Sequence, residues 1–133
     1  LGEAVLTPTR LYVKPVLALI KEFEIKGIAH ITGGGFIENV PRIMPAGKGA
    51  EIDIRSFPRL PIFDLLAEKS GLPDEKLYNT FNMGIGMVFA VDAQDADSVL
   101  HYLDTKGERA YRIGVVSDSL PEGGLCRGTL TVK

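Results

Sequence analysis

The residues best suited to chemistry lie in one short stretch, in which a histidine precedes three consecutive glycines. His30 lies within an apolar run, residues 33–35 are all glycine, and the amide residue Asn39 follows. Glycine lets a backbone approach a ligand closely, and the first turn of a helix presents unpaired N–H groups and the positive end of the helix dipole. The stretch therefore predicts an anion site with phosphate as its natural ligand, and Asn39 can offer this ligand both a donor and an acceptor.

Three local elements must position these groups. Residues 28–32 read as a short strand, residues 33–35 as a sharp turn, and residues 36–40 as the start of a helix that Pro41 stops. The stretch is not a Walker A loop, because no Gly-Lys-Ser/Thr follows, and Glu38 stands where a dinucleotide fingerprint needs its third glycine. Local pattern leaves two interpretations open, an anion site or a purely structural turn.

The position of His30 within its strand leaves its role open. Ile28, His30 and Thr32 share one face of the strand, and this face leads to the glycine turn. There an imidazole could hydrogen-bond a substrate or exchange a proton near neutral pH, although a lone strand histidine is more often a satisfied core residue. A carboxylate repels phosphate, so Glu38 is expected to cap backbone amides or to pair with Arg42.

A second informative stretch surrounds two further glycines. Asn82 precedes Met-Gly-Ile-Gly, and residues 87–91 form a continuous apolar run that predicts a strand covered on both faces. Gly84 and Gly86 leave one edge without side chains, which permits a ligand or another backbone to come close. The alternatives are a β-bulge or tight packing against a helix, with Asn82 capping or turning the chain.

An arginine near the start of the chain is a third candidate. Pro8 disfavours helix at Thr7, so the segment before Arg10 is expected to be extended, and Thr9 could cap the helix that follows. The Arg10 guanidinium could fork onto a phosphate, but local pattern favours an ordinary surface arginine.

The rest of the chain alternates helices and strands. Apolar spacing, prolines and glycines predict a helix over 13–23 that Gly27 ends, a helix from Pro61 to Gly71 and a helix over 74–79 after Pro73. A further helix carries Ala96, Val99, Leu100 and Leu103; Asp92 or Asp95 caps it and Gly107 closes it. Strands are predicted over 50–54, 110–116 and 125–132, with a turn region over 117–124. His101 lies off the apolar stripe of its helix and is expected to be solvated. This mixture predicts an α/β (α+β) domain, with helices packed on a mixed sheet.

Composition excludes several classes of protein. A chain of 133 residues that is 45% apolar and 24% charged is expected to form one globular domain. Its net charge of −2 gives no basic field for nucleic acid, and no apolar run approaches a membrane span or an export signal. The single cysteine, Cys126, is expected to pack in the last strand and fits a reducing cytosol, so we expect a cytoplasmic protein.

Three separated stretches together resemble a known family. The run His-Ile-Thr-Gly-Gly-Gly-Phe-Ile-Glu-Asn-Val-Pro-Arg at residues 30–42 closely resembles the carboxy-terminal half of the phosphoribosylformylglycinamidine cyclo-ligases, or aminoimidazole ribonucleotide synthetases, of purine biosynthesis. Leu-Thr-Pro-Thr-Arg-Leu-Tyr-Val at residues 6–13 and Thr-Phe-Asn-Met-Gly-Ile-Gly-Met at residues 80–87 agree with it, in the same order. The resemblance extends from about residue 6 to about residue 116.

The resemblance implies a fold, an activity and partners. The fold would be a three-layer α/β/α domain, partly ferredoxin-like. The activity would be ATP-dependent closure of formylglycinamidine ribonucleotide to aminoimidazole ribonucleotide, with release of ADP and phosphate, by a homodimeric ligase. ATP and Mg²⁺ would bind mainly to an amino-terminal domain that nothing in this chain matches. Because the chain starts at Leu1 without an initiator methionine, we expect it to be the carboxy-terminal domain of a two-domain enzyme and to be inactive alone.

The resemblance also implies a set of site residues. His30 is the catalytic candidate, no metal ligand is expected, and the candidates for substrate or phosphate binding are Arg10, Thr32, Gly33, Gly34, Gly35, Asn39, Asn82 and Gly84. A related enzyme of the superfamily, of the amidotransferase, thiamine phosphate or selenophosphate type, would share the glycine turn. The contexts of His30 and Asn82 favour the cyclo-ligase. A non-catalytic binding or assembly module, with structural glycines, is the other alternative.

Overall fold

The computed structural model describes residues 2–118, without the side chains of residues 4 and 5. In chain order the elements are α1 (Gly2–Leu6), α2 (Val13–Glu22), β1 (Ile25–His30), α3 (Gly35–Asn39), a 3₁₀ turn (Pro41–Ile43), β2 (Gly49–Ile52), α4 (Pro61–Ser70), α5 (Asp74–Thr80), β3 (Met87–Val91), α6 (Ala96–Thr105) and β4 (Gly114–Ser117). The predicted last strand, which includes Cys126, lies outside the described residues, as does all but the start of the turn predicted over 117–124.

The described strands form two antiparallel ribbons. Strand β1 pairs with β3, with Ile28 opposite Phe89 and His30 opposite Met87. Strand β2 pairs with β4. The predicted α/β class is thus confirmed, although the strand pairing within residues 2–118 is antiparallel and not mixed. The three-layer, partly ferredoxin-like arrangement stays a prediction.

Two apolar clusters hold these elements together. The larger cluster lies beneath the glycine turn and contains Ala29, Ile31, Phe36, Val40, Ala50, Ile52, Phe57, Leu77, Tyr78 and Met83. The smaller cluster joins α2 to α6 through Leu19, Val99 and Leu103. Val88 of β3 packs on the first cluster, whereas Phe89 and Val91 pack on the second. Both faces of β3 are therefore covered as predicted, but incompletely, since all five of its residues are only half-buried.

Most helix boundaries follow the sequence signals. Helix α4 begins with Pro61 at its first turn and ends at Gly71, whose φ of 63° provides the left-handed stop. Helix α5 follows Pro73, and α6 follows Asp95, which makes no side-chain capping bond. His101 is exposed, as predicted. No helix within residues 2–118 is both long enough and apolar enough to cross a bilayer.

Four local predictions were wrong. Helix α2 begins after Tyr12, too far along the chain for the Thr9 hydroxyl to cap it, and it ends before Phe23. Gly27 does not stop this helix, because it lies inside β1 and packs against Ile43. Strand β4 is shorter than predicted and begins at Gly114, and α1 was not predicted because a five-residue helix has too few residues to show a periodic pattern.

Tyr78 provides a pH-dependent test of the core. Its side chain is 1% exposed, and burial raises the pKa of its phenol, against the opposing effect of nearby Arg59. Because the pKa of the phenol is higher in the folded than in the unfolded protein, the protonated phenol stabilises the fold fully below the unfolded pKa of about 10. This stabilisation is lost as pH rises through the folded pKa. We expect the free energy of unfolding to fall above about pH 10, by up to about 1.4 kcal/mol per pH unit. Urea unfolding between pH 8 and 11 measures this loss, and Tyr78→Phe should reduce it; an equal alkaline loss in both proteins would contradict the assignment.

Candidate active site

The two glycine-containing stretches meet at one end of the β1–β3 ribbon, where β1 ends and β3 begins. Strand β1 leads into the glycine turn, and β3 begins directly after the loop of residues 82–86. Antiparallel pairing places His30 opposite Met87, and the Ile31 amide donates a hydrogen bond to the Gly86 carbonyl oxygen at 2.9 Å. Stretches far apart in the sequence therefore lie side by side.

The fold itself requires two of the three glycines of the turn. Gly34 and Gly35 have φ values of 90° and 54°, a region that side chains rarely allow. A Cβ on Gly35 would overlap the carbonyl oxygen of Tyr78 on α5, and a Cβ on Gly34 would collide with Glu38. A Cβ on Gly33 would have no neighbour within 4 Å. Of the three, only Gly33 has neither a positive φ nor a close neighbour that requires glycine.

Asn39 supports the turn from beneath. It is 6% exposed, and its Nδ2 donates to the carbonyl oxygens of Gly33 at 3.1 Å and Gly35 at 2.8 Å. Its Oδ1 accepts from Arg42 Nη1 at 3.2 Å. These bonds explain a buried amide without a ligand, and the predicted ligand contact of Asn39 stays untested.

We expect Asn39→Ala to lower the free energy of unfolding by about 2–3 kcal/mol, because it leaves two turn carbonyl oxygens without their donor. Chemical denaturation measures the loss. Gln94→Ala removes an amide of similar chemistry from an exposed loop position and should change stability by less than about 0.5 kcal/mol. Equal stability of the two variants would show that the Asn39 bonds do not hold the turn.

The helix after the turn is short. Helix α3 contains five residues and continues into the 3₁₀ turn, so its dipole is smaller than that of a long helix. The predicted pair of Glu38 and Arg42 is present, with Oε2 and Nη2 at 4.0 Å on the exposed side of the helix. Phosphate binding by the turn stays a prediction.

The loop before β3 is held by its own asparagine. Asn82 Oδ1 accepts from the Gly84 amide at 3.0 Å, and the Asn82 carbonyl oxygen accepts from the Ile85 amide at 3.0 Å. Met83 at φ 51° and Gly84 at φ 95° make the turn. The alternative in which Asn82 turns the chain is therefore confirmed, and its predicted ligand contact is untested, as is that of the exposed Gly84.

A groove of about 520 Å³ lies next to the β1 edge of this site. Its lining residues come from the segment before α2, from α2 and from the ribbon, and they are Thr9, Arg10, Leu11, Tyr12, Val13, Val16, Leu17, His30 and Met87. Two predicted site residues, Arg10 and His30, thus line one cavity. Most of the remaining wall is aliphatic, which is typical of a binding groove with few polar groups.

His30 is exposed, and its interpretation as a core residue is wrong. Strand alternation buries Ala29 and Ile31 at 4% and 1% exposure and turns His30 and Thr32 to the opposite, open face. Thr32 continues this face towards the glycine turn. The His30 ring lies 5.7 Å from the ring of Tyr12, centroid to centroid, in an edge-to-face contact.

Arg10 lies on the groove wall in a defined position. Its Nη2 lies 2.8 Å from Oε2 of Glu108, which follows α6, and the Arg10 side chain is 52% exposed. An ion pair this exposed adds little stability, but it orients the guanidinium. The Arg10 side chain thus lines the groove while about half of it stays exposed.

Sequence reasoning assigned no role to Tyr12. A Cβ on Gly86 would overlap the Tyr12 hydroxyl, so Tyr12 occupies the space that the missing side chain leaves. The close approach that Gly86 predicted is therefore made by a side chain of this chain. The signal was present in the sequence, because Tyr12 belongs to a stretch that carries the family resemblance.

An apolar surface borders the groove. Leu11, Val13 and Leu17 are 85%, 67% and 50% exposed, and Ile20 continues the same face of α2 at 45%. Within residues 2–118, no group of three His, Cys, Asp or Glu side chains lies close enough to hold a metal ion. The site combines one imidazole, one guanidinium and backbone amides with aliphatic walls.

Comparison with known proteins identifies a family and several relatives of this chain. The family described as AIR synthase related protein, C-terminal domain, matches residues 1–123. A protein of Geobacillus named phosphoribosylformylglycinamidine cyclo-ligase is 59% identical over 116 residues, which are 87% of this chain and 34% of the relative. Proteins of the same name are 60% identical over 119 residues in Acetivibrio thermocellus (89% of this chain, 35% of the relative) and 50% identical over 123 residues in Nitrosococcus oceani (92% and 34%).

The extent of these matches defines what the chain is. It spans about a third of the length of the curated relatives it matches, whereas the family match covers nearly all of the chain. The three stretches that carry the resemblance all lie within the matched residues. The chain belongs to the family of AIR synthase related protein C-terminal domains.

Proposed function

We propose that this chain is the carboxy-terminal domain of an ATP-dependent cyclo-ligase that converts formylglycinamidine ribonucleotide to aminoimidazole ribonucleotide, with release of ADP and phosphate. The identity of 50–60% to proteins named phosphoribosylformylglycinamidine cyclo-ligase supports this activity. In the proposed reaction the terminal phosphoryl group of ATP is transferred to the formyl oxygen of the substrate and ADP leaves. An internal nitrogen of the substrate then attacks the formyl carbon and loses a proton, and the carbon–oxygen bond breaks to release phosphate. No protein nucleophile is needed.

One observation carries the proposal: Arg10 and His30 line a single groove, and His30 ends the strand that leads into the glycine turn. A guanidinium and backbone amides suit a sugar phosphate, and an exposed imidazole suits proton transfer near neutral pH. Arg10 would bind the phosphate of the substrate, together with the backbone at Gly33, where no side chain blocks approach. His30 would accept the proton that the attacking nitrogen loses on ring closure.

Binding geometry supplies the rest of the proposed catalysis. Ring closure is intramolecular, so holding the two ends of the substrate close together accounts for much of the rate. Once the groove is covered in the proposed full-length enzyme, its aliphatic walls would exclude water and strengthen the charge interactions of Arg10. Thr32, Asn82 and Gly84, at the same end of the ribbon, would complete the contacts with the substrate.

ATP and magnesium are assigned to the part of the enzyme outside this chain. Residues 2–118 contain no cluster of carboxylates or imidazoles that fits a divalent cation. In the proposed enzyme an amino-terminal domain binds the nucleotide and closes over the groove. The exposed apolar face of α2, with Val13, Leu17 and Ile20, supports such a covered surface, on this domain or on a second protomer of the proposed homodimer.

A chimera tests the proposed function. This chain replaces the corresponding third of the Geobacillus relative, and formation of ADP and aminoimidazole ribonucleotide is measured with formylglycinamidine ribonucleotide as substrate. We expect turnover with this substrate, whereas this chain alone should show none. A folded chimera that hydrolyses ATP but forms no ring product would contradict the proposal and favour a related enzyme of the superfamily.

Arg10→Ala in this chimera should raise KM for the ribonucleotide about tenfold or more, because one charge-assisted contact to phosphate is lost. Arg112→Ala removes an exposed arginine from the segment before β4 and should leave KM unchanged. Equal KM values in the two variants would remove Arg10 from the site.

A further inference from the structure

We infer that Tyr12 is a positioning residue for His30, and that Gly86 has no side chain because the Tyr12 phenol occupies its place. This inference deepens the proposed function and rests on it. Three observations carry it: the backbone of Tyr12, the packing of its phenol and the contact of its ring with His30.

The backbone of Tyr12 is anchored by α2. Tyr12 is the residue directly before the helix, and its carbonyl oxygen accepts from the Val16 amide at 3.0 Å in the first helical turn. Leu19 anchors the same helix to α6 through the smaller apolar cluster. The point from which the Tyr12 side chain starts is therefore set by a packed helix.

The far end of the Tyr12 side chain packs against the loop before β3. A Cβ on Gly86 would overlap the hydroxyl and would lie 2.6 Å from Cζ of Tyr12. Gly86 is itself held, since its carbonyl oxygen accepts from the Ile31 amide of the chain that leaves β1. The phenol is thus confined between α2 and the start of β3.

The position of the Tyr12 ring restricts the orientation of the His30 imidazole. His30 lies on the open face of β1, where its own strand leaves the imidazole exposed. The Tyr12 ring meets it edge to face, at 5.7 Å and an interplanar angle of 65°. Aromatic pairs prefer this arrangement, so Tyr12 selects one orientation of the imidazole on the groove wall. Proton transfer in the proposed reaction depends on that orientation.

The chimera with this chain tests the role of Tyr12 by a conservative and a non-conservative variant. Tyr12→Phe keeps the ring and should keep kcat within about twofold of the starting protein. Tyr12→Leu keeps apolar volume but loses the ring, and should lower kcat about tenfold with a smaller change in KM, since misplacement of a reacting group acts on turnover. An equal loss in both variants would overturn the inference.

A double-mutant cycle separates positioning from mere packing. If Tyr12 acts through His30, Tyr12→Leu should have no further effect on kcat when His30 is already asparagine. Independent, multiplicative losses would contradict the inference. Selectively labelled histidine gives a readout that does not need turnover: the nuclear Overhauser contacts of the His30 ring protons with the backbone of β1 should change in Tyr12→Leu and stay in Tyr12→Phe. These contacts test the inference even in a chimera whose lack of activity has refuted the proposed function.

Gly86 is tested by compensation. Gly86→Ala should lower Tm in the starting chimera because the new methyl group displaces the phenol. The same substitution should lower Tm by less in the Tyr12→Leu background, where the phenol no longer occupies the space. An equal loss of Tm in both backgrounds would show that Gly86 is constrained by something other than Tyr12.

Discussion

Replacing Gly35 with alanine is expected to lower the free energy of unfolding by about 3–5 kcal/mol. Two effects add at this position. The backbone has φ of 54°, which disfavours any Cβ, and the new methyl group would overlap the Tyr78 carbonyl oxygen and approach that of Phe81 to 2.8 Å. Neither carbonyl can move freely, because both belong to the end of α5 above the core.

Gly33 is the matched control for Gly35. Gly33 lies in the same turn, but a Cβ added there would have no neighbour within 4 Å. We therefore expect Gly33→Ala to change the free energy of unfolding by less than about 0.5 kcal/mol. Urea or thermal unfolding of the two variants measures the difference. Equal tolerance of alanine at both positions would contradict the described turn.

Replacing His30 with asparagine is expected to lower kcat of the full-length chimera about 100-fold or more, because general acid–base groups contribute about 10²–10⁴ to the rate. The loss should come with nearly unchanged stability. His30 is exposed, and the buried residues on either side of it, Ala29 and Ile31, face the other way. Steady-state kinetics and thermal unfolding of the same preparation give both quantities.

His101 is the control for this substitution. It is exposed on α6. His101→Asn should leave both kcat and Tm unchanged. If His30→Asn lowers Tm and kcat in parallel, His30 is a structural residue; if it changes neither, the proton acceptor of the proposed reaction is another group.

Local sequence pattern predicted much of the secondary structure. Proline and glycine signals gave correct limits for α4, and apolar runs located α2, β3 and α6. These elements are decided within about ten residues, by periodicity and by backbone restrictions. The three motif stretches were sufficient to identify the family, which the comparisons confirmed.

The same local pattern did not settle the roles of residues that depend on a neighbouring element. A lone strand histidine is more often a core residue, but His30 is exposed, because alternation alone does not say which face the core covers. Asn39 and Asn82 have the chemistry of ligand contacts, and their side chains also hydrogen-bond the turns that contain them. Gly86 suggested a ligand or a backbone nearby, and the group that comes close is the Tyr12 side chain.

The sequence by itself determined the family, the positions of most elements and the chemical groups available to the site. Only the tertiary structure decided which of these groups meet. The register of β1 against β3 joins the two glycine stretches, and the path of the chain before α2 brings Arg10 and Tyr12 to His30. The physical reason is that spacing along a chain sets local conformation, whereas contacts between distant residues depend on how whole strands and helices pack.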